Sequence, residues 1–230
     1  MNFEKHMRLT EKYSKTESYM LSCMSDTTHD REHVYRVLNY ALDIAAHETG
    51  VDIEILVTAS LLHDIGRAAQ FADPAIDHAA AGAEMAGGWL RSEGCSGDFV
   101  DAVTHCISAH RYRSDTAPSS AEAKILFDAD KVDVCGAVGI ARTLTYCGQT
   151  SRSLYTYNTD GEVSDGADKS DSFFGEYRFK LEGLYDKFYT SRGAQLAAKR
   201  RGAAADFYNA MLAEVRECCN AGKTLWRHHP

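Results

Sequence analysis

The stretch Ile55-Leu56-Val57-Thr58-Ala59-Ser60-Leu61-Leu62-His63-Asp64-Ile65-Gly66-Arg67 decides the fold. The segment reads as an apolar helix, and it ends in an adjacent imidazole and carboxylate where ordinary packing would favour apolar side chains. Both are metal-grade ligands. Working outward, His33 lies on an upstream helical pattern with Val37, Ala41 and Ile44 following at i+4, i+8 and i+11, which puts it on the buried stripe. Downstream, Asp130 shares a stripe with Leu126 and Ala137. Two imidazoles and two carboxylates on three helices form a nitrogen-oxygen ligand set suited to a divalent ion such as Mn, Mg or Fe.

The 230 residues contain three prolines, at 74, 118 and 230, and long apolar stripes of helical period run between them. The expected fold is all-α, a single helical domain over 1–230 with about 70–75% of the unfolded surface buried. With 33 acidic against 25 basic residues the formal net charge is −8, which argues against binding a nucleic acid polymer or an anionic membrane. No run approaches the roughly 20 apolar residues of a membrane span. Seven cysteines without paired CxxC spacing, and an N-terminus Met1-Asn2-Phe3-Glu4-Lys5-His6 lacking an apolar core, point to a cytoplasmic protein with reduced thiols. The adjacent Cys218-Cys219 read as helix packing.

Thr27-Thr28-His29-Asp30 has the form of a helix start, opening the His33 helix that runs to about Glu48. Asp52 caps the next helix, which ends at Gly66. Helices are expected near Ile76–Ser92 and Asp98–Tyr112, and a longer one opened by a capping box of Ser119 and Glu122 carries Asp130. Residues 146–172, rich in Ser, Thr, Asp and Gly, read as a polar loop or partly extended flap. Residues 173–220 are helical again, with Phe179, Leu184, Phe188, Leu196, Phe207 and Leu212 facing inward.

His33, then His63-Asp64, then Asp130 is the residue order of the HD superfamily of metal-dependent phosphohydrolases, which the chain resembles over 26–142. His33-x-x-Arg36-Val37, His63-Asp64-Ile65-Gly66, Asp128-Ala129-Asp130-Lys131-Val132 and Gly136-Ala137-Val138-Gly139-Ile140-Ala141-Arg142 are similar to short, stand-alone bacterial members. The C-terminal Lys180-Leu181 and Thr190-x-x-Gly193-x-x-Leu196-Ala197-x-x-Arg200 extend the likeness. The resemblance implies a helical bundle holding one divalent ion, Mn or Mg with Fe, Ni or Co as alternatives, that hydrolyses a phosphate ester or anhydride of a small metabolite, foremost a nucleotide.

In that reading His33, His63, Asp64 and Asp130 hold the ion, and Asp64 orients or deprotonates the attacking water. Arg36, Arg67, Lys131 and Arg142 stand at or near motif positions and would supply the local positive charge that phosphate needs. His78, in an HxxxG pattern like that of two-metal HD enzymes, and His110, on the stripe of Val103 and Ile107, either bring a second ion or line a one-metal pocket. One ion is expected, because the chain lacks the doubled histidine or Gly-Tyr-Pro signature of the two-metal branch. His29-Asp30 repeats the ligand letters but reads as a cap. Glu84 reads as a buried partner, and Trp89 and Trp226 as packing residues. The alternatives are a catalytically silent nucleotide sensor using the same ion and a protein-interaction bundle; the oligomeric state is monomer or homodimer.

Overall fold

A computed structural model describes the backbone of residues 3–24, 31–111 and 116–227, and the side chains of 13–24, 31–111 and 116–219. The helix start at Thr27, the His29-Asp30 pair, Tyr112 and the side chain of Trp226 lie outside the described residues. Among the described residues the fold is all-α, without a β-strand: α1 (Phe3–Cys23), α2 (Arg31–Ala45), α3 (Ile53–Leu62), α4 (Arg67–Ala72), α5 (His78–Ser92), α6 (Gly97–Ala109), α7 (Ala121–Asp133), α8 (Gly136–Gln149), α9 (Phe173–Glu176), α10 (Ser191–Ala198) and α11 (Arg201–Arg227). They divide into two compact units, Met1–Asp130 and Lys131–Pro230, and α7 runs through the boundary.

In the first unit α3 is the centre. Asp52 caps it by accepting from the Glu54 and Ile55 amides at 2.8 and 3.2 Å. Every residue from Leu56 to Leu62 is buried, as its apolar composition requires, against α1, α2 and α6. Val34, Val37, Ala41 and Ile44 of α2 and Val100, Val103 and Ile107 of α6 supply the facing surface. Ser120, not Ser119, caps α7 by accepting from the Ala123 amide at 3.1 Å. Glu122 departs from the expected capping box as well: its carboxylate accepts from the Asp52 amide at 2.7 Å and ties the start of α7 to the start of α3.

The helix that carries the His-Asp pair also differs from expectation at its end. α3 stops at Leu62 and the chain turns tightly through His63 to Gly66 before α4. Gly66 has φ −82°, so it is not a left-handed terminator. Its role is close approach. A Cβ there would lie 2.2 Å from the His78 carbonyl oxygen and 2.5 Å from the Gly82 amide nitrogen. The glycine thus lets the first turns of α5, with small residues Ala79 and Gly82 facing in, come against the His-Asp turn.

In the second unit α8 packs on α9 and α11 around Phe173, Phe174, Tyr177, Leu181, Leu184 and Tyr208, with Tyr177 and Tyr208 stacked at 4.1 Å. Of the residues expected inward, Leu184 is buried and Phe188, Leu196 and Leu212 are half-buried, but Phe179 and Phe207 are exposed, at 54% and 43%. A wide turn at Tyr177–Leu181 and irregular chain to Thr190 break the helical count on which that expectation rested. Residues 146–149 complete α8, and 150–172 form an extended excursion with two isolated bridges, Ser153 to Ser172 and Tyr157 to Val163. Its polar side chains make turns: Asn158 accepts from the amides of Asp160 and Glu162, and Asp165 and Asp168 do the same two residues on.

Candidate metal centre and active site

His33 from α2, His63-Asp64 from the turn after α3, and Asp130 from α7 converge in the first unit, and all four are buried. His33 Nε2 lies 3.3 Å from His63 Nε2, 3.5 Å from Asp64 Oδ2 and 3.3 Å from Asp130 Oδ1. His63 Nε2 lies 3.7 Å from Asp64 Oδ2. An ion about 2.0–2.2 Å from each of its nitrogen and oxygen donors separates neighbouring donors by roughly 3 Å, so His33, His63 and Asp64 have the right spacing and Asp130 adjoins them through His33.

The tautomers favour ligation. His63 Nδ1 donates to the Ser60 carbonyl at 2.8 Å, which directs the Nε2 lone pair inward. His110 is oriented in the same way through Nδ1 and the Ile107 carbonyl at 2.6 Å. These carbonyls were not singled out in the sequence, although a histidine just past a helix end, three residues beyond a carbonyl left open there, is a readable signal. Burial first, opposed by the neighbouring carboxylates, lowers the His63 pKa from the ordinary 6.5 to about 4, so its ring is neutral at physiological pH and able to ligate.

Asp64 stands at the middle of a second group. His78 Nε2 and His110 Nε2 each lie 3.6 Å from its Oδ1, and Arg67 Nε donates to the same oxygen at 2.9 Å. Burial pushes the Asp64 carboxyl up, but Arg67, His63, His110 and His78 outweigh it and hold it well below the usual carboxylate range. His78 is buried, and neither of its ring nitrogens has a hydrogen-bond partner among the described residues. Such a group suits a ligand. Burial lowers its pKa to about 3, with Arg67 and Arg111 acting in the same direction against Asp64.

The structure therefore brings His33, His63, Asp64, Asp130, His78, His110 and Arg67 together. Arg36 is half-buried on α2, three residues after His33. Lys131 follows Asp130 on α7 and is buried, and Arg142 of the second unit is paired with the buried Asp133 at 2.7 Å. Glu84 is exposed on α5, not buried as expected. Trp89 packs as expected, stacked on Tyr19 at 4.7 Å. Arg111 escaped the sequence reading; it follows His110 directly and pairs with Asp77, the residue that caps α5 at His78.

The HD domain family matches residues 31–135, which span every ligand candidate. The uncharacterised protein YpgQ of Bacillus subtilis is 28% identical over 218 residues, 92% of this chain and 94% of YpgQ. The crystal structure of YpgQ in complex with ADP superposes with a TM-score of 0.68 at 25% identity, covering 89% of this chain and 95% of that one. An HD-superfamily hydrolase from Bacillus thuringiensis superposes with a TM-score of 0.64 at 27% identity, covering 89% and 97%. The ligand order, the helical architecture and the convergence on Asp64 all agree with the HD-domain match over residues 31–135.

Proposed function

We propose that the protein is a divalent-metal phosphohydrolase acting on a phosphate ester or anhydride of a small metabolite, a nucleotide foremost. The observation that carries the reading is the convergence of His33, His63, Asp64 and Asp130 into one buried donor set with cationic Arg67 and the buried imidazoles of His78 and His110 beside it. The related YpgQ has been crystallised with ADP, which favours a nucleotide over other phosphates.

A divalent ion held by the four ligands would acidify a water and neutralise charge developing on phosphate. The chain's own groups do the rest. Asp64, held anionic by Arg67, is a weak base and a good hydrogen-bond acceptor, so its part is to orient the attacking water. His78 and His110 present ring nitrogens to phosphate oxygen or water, and Arg36 and Arg67 carry positive charge for the anion. The free state of all seven cysteines accords with a reducing compartment, the cytoplasm.

The test is release of phosphate or pyrophosphate from a panel of nucleoside mono-, di- and triphosphates with added Mn or Mg. Release that depends on the ion and is lost in Asp64→Ala is expected. Nucleotide binding without any release would replace the enzyme with a sensor.

A further inference from the structure

The two oxygens of Asp64 face different ways. Oδ2 faces His33 and His63, and Oδ1 faces His78 and His110, giving two overlapping groups of three donors, each compact enough to hold an ion. Read from donors alone, this is a frame for two ions bridged by one carboxylate. Arg67 changes that reading. Its Nε donates to Oδ1 at 2.9 Å, closer than either imidazole, and its Nη1 donates to Gln70 Oε1 at 3.2 Å, so the guanidinium is fixed from two sides.

Charge separates the two groups further. Beside the first stands Asp130, 3.3 Å from His33, so two carboxylates balance one divalent ion. Among the described residues the second group adds no carboxylate beyond the shared Asp64. A second divalent ion would have to share the buried Oδ1 with a half-buried guanidinium already hydrogen-bonded to it, and like charges at one carboxylate oxygen repel.

We propose that Arg67 takes the place of a second cation on Asp64 Oδ1 and so keeps the centre to one ion, leaving His78 and His110 for substrate. The inference rests on the metal-dependent reading above and assigns Arg67 a positioning role on Asp64.

The experiment counts bound Mn²⁺ at equilibrium, from loss of the free-ion electron paramagnetic resonance signal, on metal-free wild type, Arg67→Ala, Arg67→Lys and the double variant Arg67→Ala with His78→Ala. Wild type and Arg67→Lys are expected to saturate at one ion per chain. Arg67→Ala is expected to take up two and show the spectrum of a spin-coupled pair, and the double variant to return to one. Arg67→Gln, closer in shape, provides the same count if Arg67→Ala fails to fold by circular dichroism. Two ions in wild type, or one in folded Arg67→Ala or Arg67→Gln, would overturn the proposal. Wild type with no ion would overturn it together with the metal centre, whereas one ion with no hydrolysis of any nucleotide would undo only the proposed activity.

Discussion

Gly66→Ala isolates the contact that places α5 against the His-Asp turn. The added Cβ would stand 2.2 Å from the His78 carbonyl oxygen, 2.5 Å from the Gly82 nitrogen and 3.0 Å from the Gly82 Cα, all backbone atoms that no side-chain rotation can move. Ordinary contact requires the turn and α5 to separate by on the order of 1 Å, a strain of the overpacking kind that costs about 1–3 kcal/mol. Because Gly66 has φ −82°, alanine meets no backbone penalty and the cost is steric alone. For a chain of this size each kcal/mol lowers Tm by roughly 2–4 °C, so a drop of about 2–12 °C is expected in a calorimetric scan. His78 heads α5 and moves with it. Its Nε2 lies 3.6 Å from Asp64, and a misplacement of about 1 Å costs on the order of 10²-fold in rate, so turnover should fall while the ion, held by residues outside α5, is retained. Gly88→Ala is the control, since its Cβ meets nothing within 4 Å; it should leave turnover unchanged and add about 0.5–1 kcal/mol of helix stability. A Gly66→Ala protein that melts with wild type and turns over normally would refute this account of the glycine.

Replacing His63 or Asp64 with alanine should remove most bound ion and all ion-dependent turnover while helical content by circular dichroism is largely kept; normal metal content in Asp64→Ala would remove it from the ligand set. In metal-free protein, stability should be full above pH 6.5 and decline as pH falls toward 4, because unfolded His63 and His78 take up protons that their buried folded forms, at about 4 and 3, refuse. A melting temperature independent of pH across that window would contradict the burial of neutral imidazoles. Arg142→Ala should cost about 1–3 kcal/mol of stability through the buried Asp133 carboxylate, whereas Arg36→Ala should slow turnover of charged substrate by about 2–4 kcal/mol with metal content unchanged. Denaturant unfolding and kinetics on the best nucleotide would separate the two, and the reverse pattern would exchange their roles.

What the sequence disclosed is what periodicity and residue chemistry can carry. Burial of α3 accords with its apolar composition, and the inward position of His33 follows from a stripe within α2; Asp130 is buried with Leu126, but Ala137, counted on the same stripe, is exposed on α8 beyond the break after Asp133. Counting failed where regular structure is interrupted. Phe179 and Phe207 turn outward because a wide turn and an irregular linker reset the phase, and Glu122 leaves its expected cap because a distant amide, that of Asp52, competes for it. No one-dimensional pattern records such a partner. The same holds for the centre itself: the letters His63-Asp64 announce ligands, but not that the two oxygens of one carboxylate face different histidine pairs, nor that Arg67 is bonded to one of them. Residue order specifies which donors are available, while the glycine-tight turn at Ile65 and Gly66 specifies what each oxygen meets. The second property bears on how many ions enter, so the turn matters to the centre as much as the ligand list does.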